Sequence, residues 1–490
     1  MATVASLPVR QGRGSELRLL ALAVALGVGA YALVGLNTAG EIPTSTLTHG
    51  AGLAALALIA HLVLRIRAPY ADPVILPTVI ALNGIGLAMI YRLDVASATT
   101  AKPKDLATLQ LGWTTIGVVL ASLVLLLLRD HRTLRRYTYT SMVIGLLLLA
   151  APLIPGLGRT VNGATIWIKF AGQSFQPGEL AKIFLAIFFA GYLVTNRETL
   201  ALAGPRVLGL QLPRVRDLGP IVLAWLVSVG VLVFEKDLGT SLLFFGLFVA
   251  MLYVATERLS WILIGLSLFV AGAAVAATTF GHVGARFNGW LNAFDQDVYE
   301  AVGGSGQLVQ GLFGMASGGL FGTGWGSGRP NLVPYAESDF IIAALGEELG
   351  LTGLLAIFAL YLVLVQRGLR TAVGVRDGFG KLLGGGLAFV VAFQCFVVVG
   401  GITRLIPVTG LTMPFMAYGG SSLLANWIVV ALLLRVSDAA RRPAPAAPAP
   451  PPPRAARSAE DDAAPADENL TEVIEVTDVD ETAQQRGARA

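Results

Sequence analysis

Residues 351–365 read LTGLLAIFALYLVLV, and the stretch before them, 334–350, reads PYAESDFIIAALGEELG. The first is an apolar run. The second holds Glu337, Asp339, Glu347 and Glu348. Together they read as a helix that enters a bilayer from a polar boundary. Runs of the same kind recur along the whole chain. We place twelve spans, near 18–37, 48–65, 73–91, 108–128, 138–155, 179–195, 219–235, 238–255, 260–280, 339–365, 384–402 and 420–437. Most reach the roughly 20 apolar residues that a bilayer requires of a helix. Composition agrees: of 490 residues, 55% are hydrophobic and 13% charged. An average soluble domain is about 25% charged. The mean hydropathy is +0.70. The expected fold class is an all-α polytopic integral membrane protein with about twelve transmembrane helices. The single cysteine, Cys395, lies in an apolar run, which excludes a disulfide framework. The net charge of +4 does not point to nucleic acid, because the basic residues sit in short loops between spans. No cleavable signal is evident: Arg10, Arg13 and Arg18 precede an uncleaved first span.

The positive-inside rule orients the chain. Alternate connections carry Arg65 and Arg67; Arg129, Arg132, Arg135 and Arg136; Arg197, Arg206, Arg214 and Arg216; Arg258; and Arg367, Arg370, Arg376 and Lys381. These face the cytoplasm, as do both termini. The other connections are poor in Arg and Lys for their length and face outward. Among them are 156–178, 236–237, the long loop 281–338, and 403–419. The unusual acid-rich and Gly-rich segments thus collect on the outer face. The tail, 438–490, begins Pro/Ala-rich and turns acidic, and reads as a disordered cytoplasmic extension.

Four outward stretches carry chemistry beside the opening one. In FQPGELAK, residues 175–182, Pro177 suits a helix start. Glu179 and Lys182 are three apart, so they share a helical face and can pair. Buried charges are expensive unless paired or facing a cavity, and we read this pair as doing both. In FEKDLGTS, 234–241, Lys236 and Asp237 lie in a tight turn that Gly239 suits. The loop 281–338 holds Arg286, Gln307, Gln310, Arg329 and many glycines, whose backbone can approach a ligand closely. The same composition also fits a mere connector. RLIPVTGLTMPFMAYGGSSLLANW, 404–427, is broken by Pro407, Gly410, Pro414, Gly419 and Gly420. Broken backbone at membrane depth is tolerated only inside protein or beside a water-filled cavity. In the opening stretch, Asp339 reads as a helix-start acid with Ser338 as the cap. Glu347 and Glu348 lie about 12 Å deeper at 1.5 Å per residue. They must face the interior, be paired, or sit where the helix breaks between Gly346 and Gly350.

Read in order, GATIWIKFAGQSFQPGELAK, EKDLGTS, ASGGLFGTGWGSG, YAESDFIIAALGEELG and IPVTGLTMPFMAYGGSS resemble the successive motifs of the SEDS family (shape, elongation, division and sporulation). The match runs over roughly residues 160–437, and five ordered motifs are far more specific than one short pattern. The stretches VPYAESDF and GGITRLIP look most like the actinobacterial RodA-type members rather than the division-type FtsW members. The sequence departs from the family pattern at Ile166, Gly178, Lys236, Ser338 and Ala417. Ile166 stands where the family has an arginine beside Trp167, and Lys169 is the candidate substitute.

The resemblance implies a ten-helix core over 73–437, with 18–66 as two additional N-terminal helices after a cytoplasmic segment 1–17. It implies an inverting peptidoglycan glycosyltransferase in the cytoplasmic membrane that polymerises lipid II on the outer face during cell elongation. Asp339 is then the general base. Glu179, Lys182, Lys236, Asp237, Arg286, Gln307, Gln310, Arg329 and Arg404 line the cavity or hold substrate. Cations or a divalent metal (Mg or Mn) would balance the leaving diphosphate, although no metal-ligand cluster is legible. The implied partners are undecaprenyl-diphosphate-linked glycan and a class B penicillin-binding protein that cross-links the strands. A lipid II flippase would also need intramembrane charge and broken helices. A scaffold for the cross-linking enzyme is the third reading.

Overall fold

The computed structural model describes residues 13–97, 105–161, 163–170, 172–200, 206–207, 210–211, 219–301 and 303–443. The tail from 444 on, residues 1–12, Arg214 and Arg216 lie outside the described residues. The chain folds as α1 (Gly14–Ala39), α2 (Thr44–Arg67), α3 (Ile75–Ser97), α4 (Leu106–Leu127), α5 (Thr138–Ala150), α6 (Pro177–Leu200), α7 (Gly219–Phe234), α8 (Leu238–Thr256) and α9 (Leu259–Thr279). The helices α10 (Gly281–Leu291), α11 (Gln296–Glu300), α12 (Gly306–Gly318), α13 (Ile341–Gly374), α14 (Gly378–Ile402) and α15 (Gly420–Arg441) follow. Among the described residues, 11 helices are long and apolar enough to cross a membrane. The segment near 219–235 supplies the twelfth expected span as the shorter α7, of 16 residues.

Burial sorts the helices. In α3 and α15, 78% and 83% of the apolar window is buried, so they form the centre of the bundle; α9, at 22%, lies at its edge. The central pair therefore carries the polar side chains that must find partners inside. Asn83 of α3 and Asn426 and Arg435 of α15 are all buried and hydrogen-bonded.

The two ends of the bundle differ in chemistry. At one end Asp72 is paired with Arg441 and lies 3.5 Å from Arg367. Asp438 lies 2.6 Å from Arg442, and Asp377 2.9 Å from His131 and 3.3 Å from Arg132. This is the end with the arginine-rich loops. The other end holds the acids, the glycines and the broken backbone.

That second end also holds a small sheet, which the all-helical reading does not anticipate. β1 (Gly158–Val161), β2 (Ala164–Phe170) and β3 (Gln173–Phe175) form an antiparallel meander, with Gly163 and Gly172 at positive φ in its turns. It rests on the turn between α7 and α8, where the Thr165 N–H donates to the Glu235 carbonyl at 3.0 Å. Arg159 stands directly opposite Trp167 in the register. Arg159 and Lys169 thus share a face with Trp167, where Ile166 leaves the family's cation missing.

Candidate active site

The site is assembled on the irregular segment 403–419, whose carbonyls are only in part taken up by backbone N–H groups. Side chains from five helices supply further partners. Asn83 of α3 donates to the Phe415 carbonyl at 3.0 Å, and Gln110 of α4 to that of Ala417 at 3.1 Å. Gln394 of α14 donates to Thr412 at 2.8 Å, and Tyr361 of α13 to Pro414. Arg286 of α10 donates to the carbonyls of Val408 and Thr409, at 3.1 and 2.9 Å. This is how irregular backbone survives at membrane depth: inside protein, with these side chains answering six of its carbonyls.

Asp339 lies beside this segment. The Tyr418 N–H donates to the Glu337 carbonyl at 2.7 Å, which joins the segment to the acidic stretch. The structure corrects one expectation about that stretch. Helix α13 begins at Ile341 with Phe340 at its N-cap and no side-chain cap, so neither Ser338 nor Asp339 caps it. Instead the Ser338 hydroxyl donates to Asp339 Oδ1 at 2.9 Å, and Asp339 stays partly exposed in a tight turn. Burial raises the Asp339 pKa above the ordinary carboxylate value, opposed by the Ser338 hydrogen bond, by its own backbone N–H and by the charge of Arg286, while Glu337 adds to the rise. Arg286 also acts on Asp237, whose pKa is likewise raised by burial. One guanidinium thus stands within electrostatic reach of both acids.

Asp237 caps α8. It accepts from the Thr240 N–H at 3.0 Å and from the Thr240 hydroxyl. Lys236 takes the left-handed conformation of the turn at φ 58 and is exposed. The tight turn was expected to use Gly239. That glycine lies instead in the first turn of α8, where a Cβ would come within 2.6 Å of Leu411. Glu235 is 3% exposed, and burial, with Asp237 second, pushes its pKa up to about 8.

Lys182 pairs with Glu179 at 2.6 Å, as their spacing predicts. Its other two donors go to Gln394 Oε1 at 3.0 Å and Asn426 Oδ1 at 3.2 Å. At 1% exposure, Lys182 is the hub that ties α6, α14 and α15 together. Arg404 is occupied in a similar way. Its guanidinium donates to the carbonyls of Trp290 and Leu291 at 2.8 and 2.7 Å and lies 5.2 Å from the centroid of Phe294. Gln310 of α12 donates to the Tyr299 hydroxyl at 3.3 Å, and Gln307 is partly exposed one turn earlier. Arg329 is exposed.

Glu347 and Glu348 lie just before a break in α13. Gly350 has φ 66 and ψ −171, which interrupts the helix. The glycine-rich segment fills the break: the Leu351 and Thr352 N–H groups donate to Gly319 and Leu320, both at 3.0 Å. Glu348 is paired with Arg92 of α3 at 2.7 Å, and Glu347 Oε1 accepts from the Arg329 N–H at 2.8 Å. Arg92 is absent from the sequence-derived site. A span drawn to end at 91 leaves it just outside the apolar run, although an arginine at the edge of a span is itself a functional signal.

Among the described residues no group of three or more His, Cys, Asp or Glu side chains converges as a metal site. Asp237 gives both carboxylate oxygens to Thr240. These residues do not make a divalent-metal site that the protein would hold by itself.

A many-helix bundle with carboxylates gathered on broken backbone at one end defines a polytopic membrane protein. The FtsW/RodA/SpoVE model, described as a cell cycle protein, matches residues 73–442. The chain belongs to this family. It is 50% identical over 447 residues to the peptidoglycan glycosyltransferase RodA of Mycobacterium tuberculosis, covering 90% of this chain and 94% of that one. It is 34% identical to stage V sporulation protein E of Bacillus subtilis, over 73% of this chain and 94% of that one. Among solved structures it resembles a chain from a peptidoglycan synthase complex described as coordinating polymerization and crosslinking. That match has a TM-score of 0.59 and 26% identity, and covers 75% of this chain and 97% of the other.

Proposed function

We propose that the protein is a peptidoglycan glycosyltransferase of the RodA type that polymerises lipid II on the outer membrane face. The names of its relatives support the activity. The observation that carries the residue roles is Asp339: a partly exposed carboxylate with a burial-raised pKa, oriented by Ser338 and within the electrostatic reach of Arg286. In the proposed reaction Asp339 takes the proton of the acceptor sugar hydroxyl as that oxygen attacks the anomeric carbon. The bond to the diphosphate breaks on the opposite side, so an α-linked donor becomes a β-linked glycan. Charge then builds on the leaving diphosphate. Arg286 is the cation whose charge acts on Asp339, with exposed Lys236 and Arg329 as further candidates. Lys182 and Arg404 hold the backbone and side-chain frame instead. A divalent ion is what the family resemblance alone implies. The structural relative belongs to a complex of polymerization and crosslinking, which supports a penicillin-binding transpeptidase as partner.

The test compares purified wild type with Asp339→Ala on lipid II, with and without the class B partner. Glycan strands are expected from wild type, with a loss of at least about a hundredfold in the variant, in the range of general-base catalysis. Equal strand synthesis by the variant would remove Asp339 from the mechanism.

A further inference from the structure

The family match begins at residue 73, so α1 and α2 fall outside it. The end of α1 nevertheless packs against the glycine-rich loop that meets α13. Gly27 of α1 and Gly84 of α3 approach so closely that a Cβ on Gly27 would lie 2.8 Å from the Gly84 Cα. One turn on, Tyr31 stacks on Tyr91 of α3 with ring centroids 4.0 Å apart, and Trp325 packs against the same cluster. Asn37, near the end of α1, donates from Nδ2 to the Trp325 carbonyl at 2.6 Å. The adjoining Gly326 has φ +88, and a Cβ there would meet Asn37 Cβ at 3.0 Å and Thr38 Cγ2 at 3.1 Å.

The opposite side of this loop grips α13. The Gly326 N–H donates to Glu348 Oε2 at 3.1 Å. Arg92, next in sequence to the stacked Tyr91, holds Glu348 Oε1 and the Gly328 carbonyl, each at 2.7 Å. The loop therefore sits between a helix outside the family match and the two acids that precede the break in α13. The short first piece of that helix leads straight back to Asp339.

We propose that the end of α1 is a positioning element for glycosyl transfer. Asn37, with the stacked Tyr31 and Tyr91 and the Trp325 packed against their cluster, seats the loop 319–329 on Glu347 and Glu348, and so fixes the entry of α13 that places Asp339. This rests on the glycosyltransferase reading. The seat and the acids are joined by direct hydrogen bonds through one peptide group, whose Trp325 carbonyl accepts from Asn37 and whose Gly326 N–H donates to Glu348, so a disturbance at Asn37 reaches Glu348 directly.

The experiment uses the full chain with its class B partner and compares Asn37→Asp and Gly326→Ala with wild type. The first turns a donor into a carboxylate facing a carbonyl; the second pushes a methyl against α1 from the loop side. Both should raise amide hydrogen exchange across 319–330 and 341–349. Both should lower kcat on lipid II about tenfold, with KM changed less than twofold and the melting temperature nearly constant. Asn37→Gln, which keeps the amide donor, should recover most of the rate. Unchanged exchange in both variants, or raised exchange with unchanged kcat, overturns the proposal. The exchange measurement needs no activity. If wild type makes no glycan, it is the glycosyltransferase reading that fails, and exchange still decides whether α1 seats the loop.

Discussion

Asp339 and its two sequence neighbours offer a test that a merely structural acid would not pass. Ser338 lowers the Asp339 pKa by donating to it, and Glu337 raises it by repulsion. A general base works ionised, so the rate is present above its pKa and is lost as pH falls through it. Ser338→Ala removes a stabiliser of the charged form and should move the acid limb of kcat/KM to higher pH. Glu337→Gln removes a like charge and should move it lower. Opposite displacements identify Asp339 as the titrating group, whereas a limb that stays put in both variants assigns it elsewhere. Arg286 is the less clean probe, because it also holds the carbonyls of Val408 and Thr409. Lys182 shows the other fate of a charge in this protein. Three acceptors surround it, and it is sealed from solvent. Its place in a site motif therefore reflects the frame that holds 403–419 more than contact with substrate.

At the scale of elements, α13 is two helices joined at Gly350. The pair of Arg92 and Glu348 holds the first piece against α3. Removing one member of a buried pair leaves an uncompensated charge, which costs about 3–5 kcal/mol. Arg92→Met should thus lower the melting temperature strongly, and Arg92→Met with Glu348→Gln should recover much of the loss. A double variant no better than the single one would show that the pair does not act as a unit. The apolar runs made the helices legible in the sequence because length and hydropathy are local properties. The i,i+3 spacing of Glu179 and Lys182 was legible for the same reason. The partners of Glu348, Gln394 and Asn426 were not, because they lie 256, 212 and 244 positions away. Spacing rules do not reach that far. The helix cap at Ser338 and Asp339 failed on a local point: the chain makes one more turn before α13 begins, and that turn directs Ser338 to Asp339 instead of to the helix. The meander of β1 to β3 was hidden by its shortness, although Gly163 and Gly172 mark its turns.

Taken whole, the molecule is polar in the sense of a battery, with arginines and their acids at one end and the carboxylates Asp237 and Asp339 at the other. The positive-inside argument places the arginine end in the cytoplasm. On that orientation Lys236→Cys should react with a membrane-impermeant maleimide added to intact cells, and Lys381→Cys only after permeabilisation. The reverse pattern would invert the proposed topology. The native Cys395 is largely buried and should contribute little background. The hub at Lys182 also bears on how the protein is made. Its partner Glu179 emerges with it, but Asn426 follows 244 residues later. At about 5–20 residues per second that gap is roughly 12–50 s of synthesis. Until Gln394 follows, 212 residues after Lys182, the nascent chain carries a lysine in the membrane shielded by Glu179 alone. A ribosome that stalls before α15 leaves the frame of the site open, with one donor of Lys182 short of its Asn426 partner.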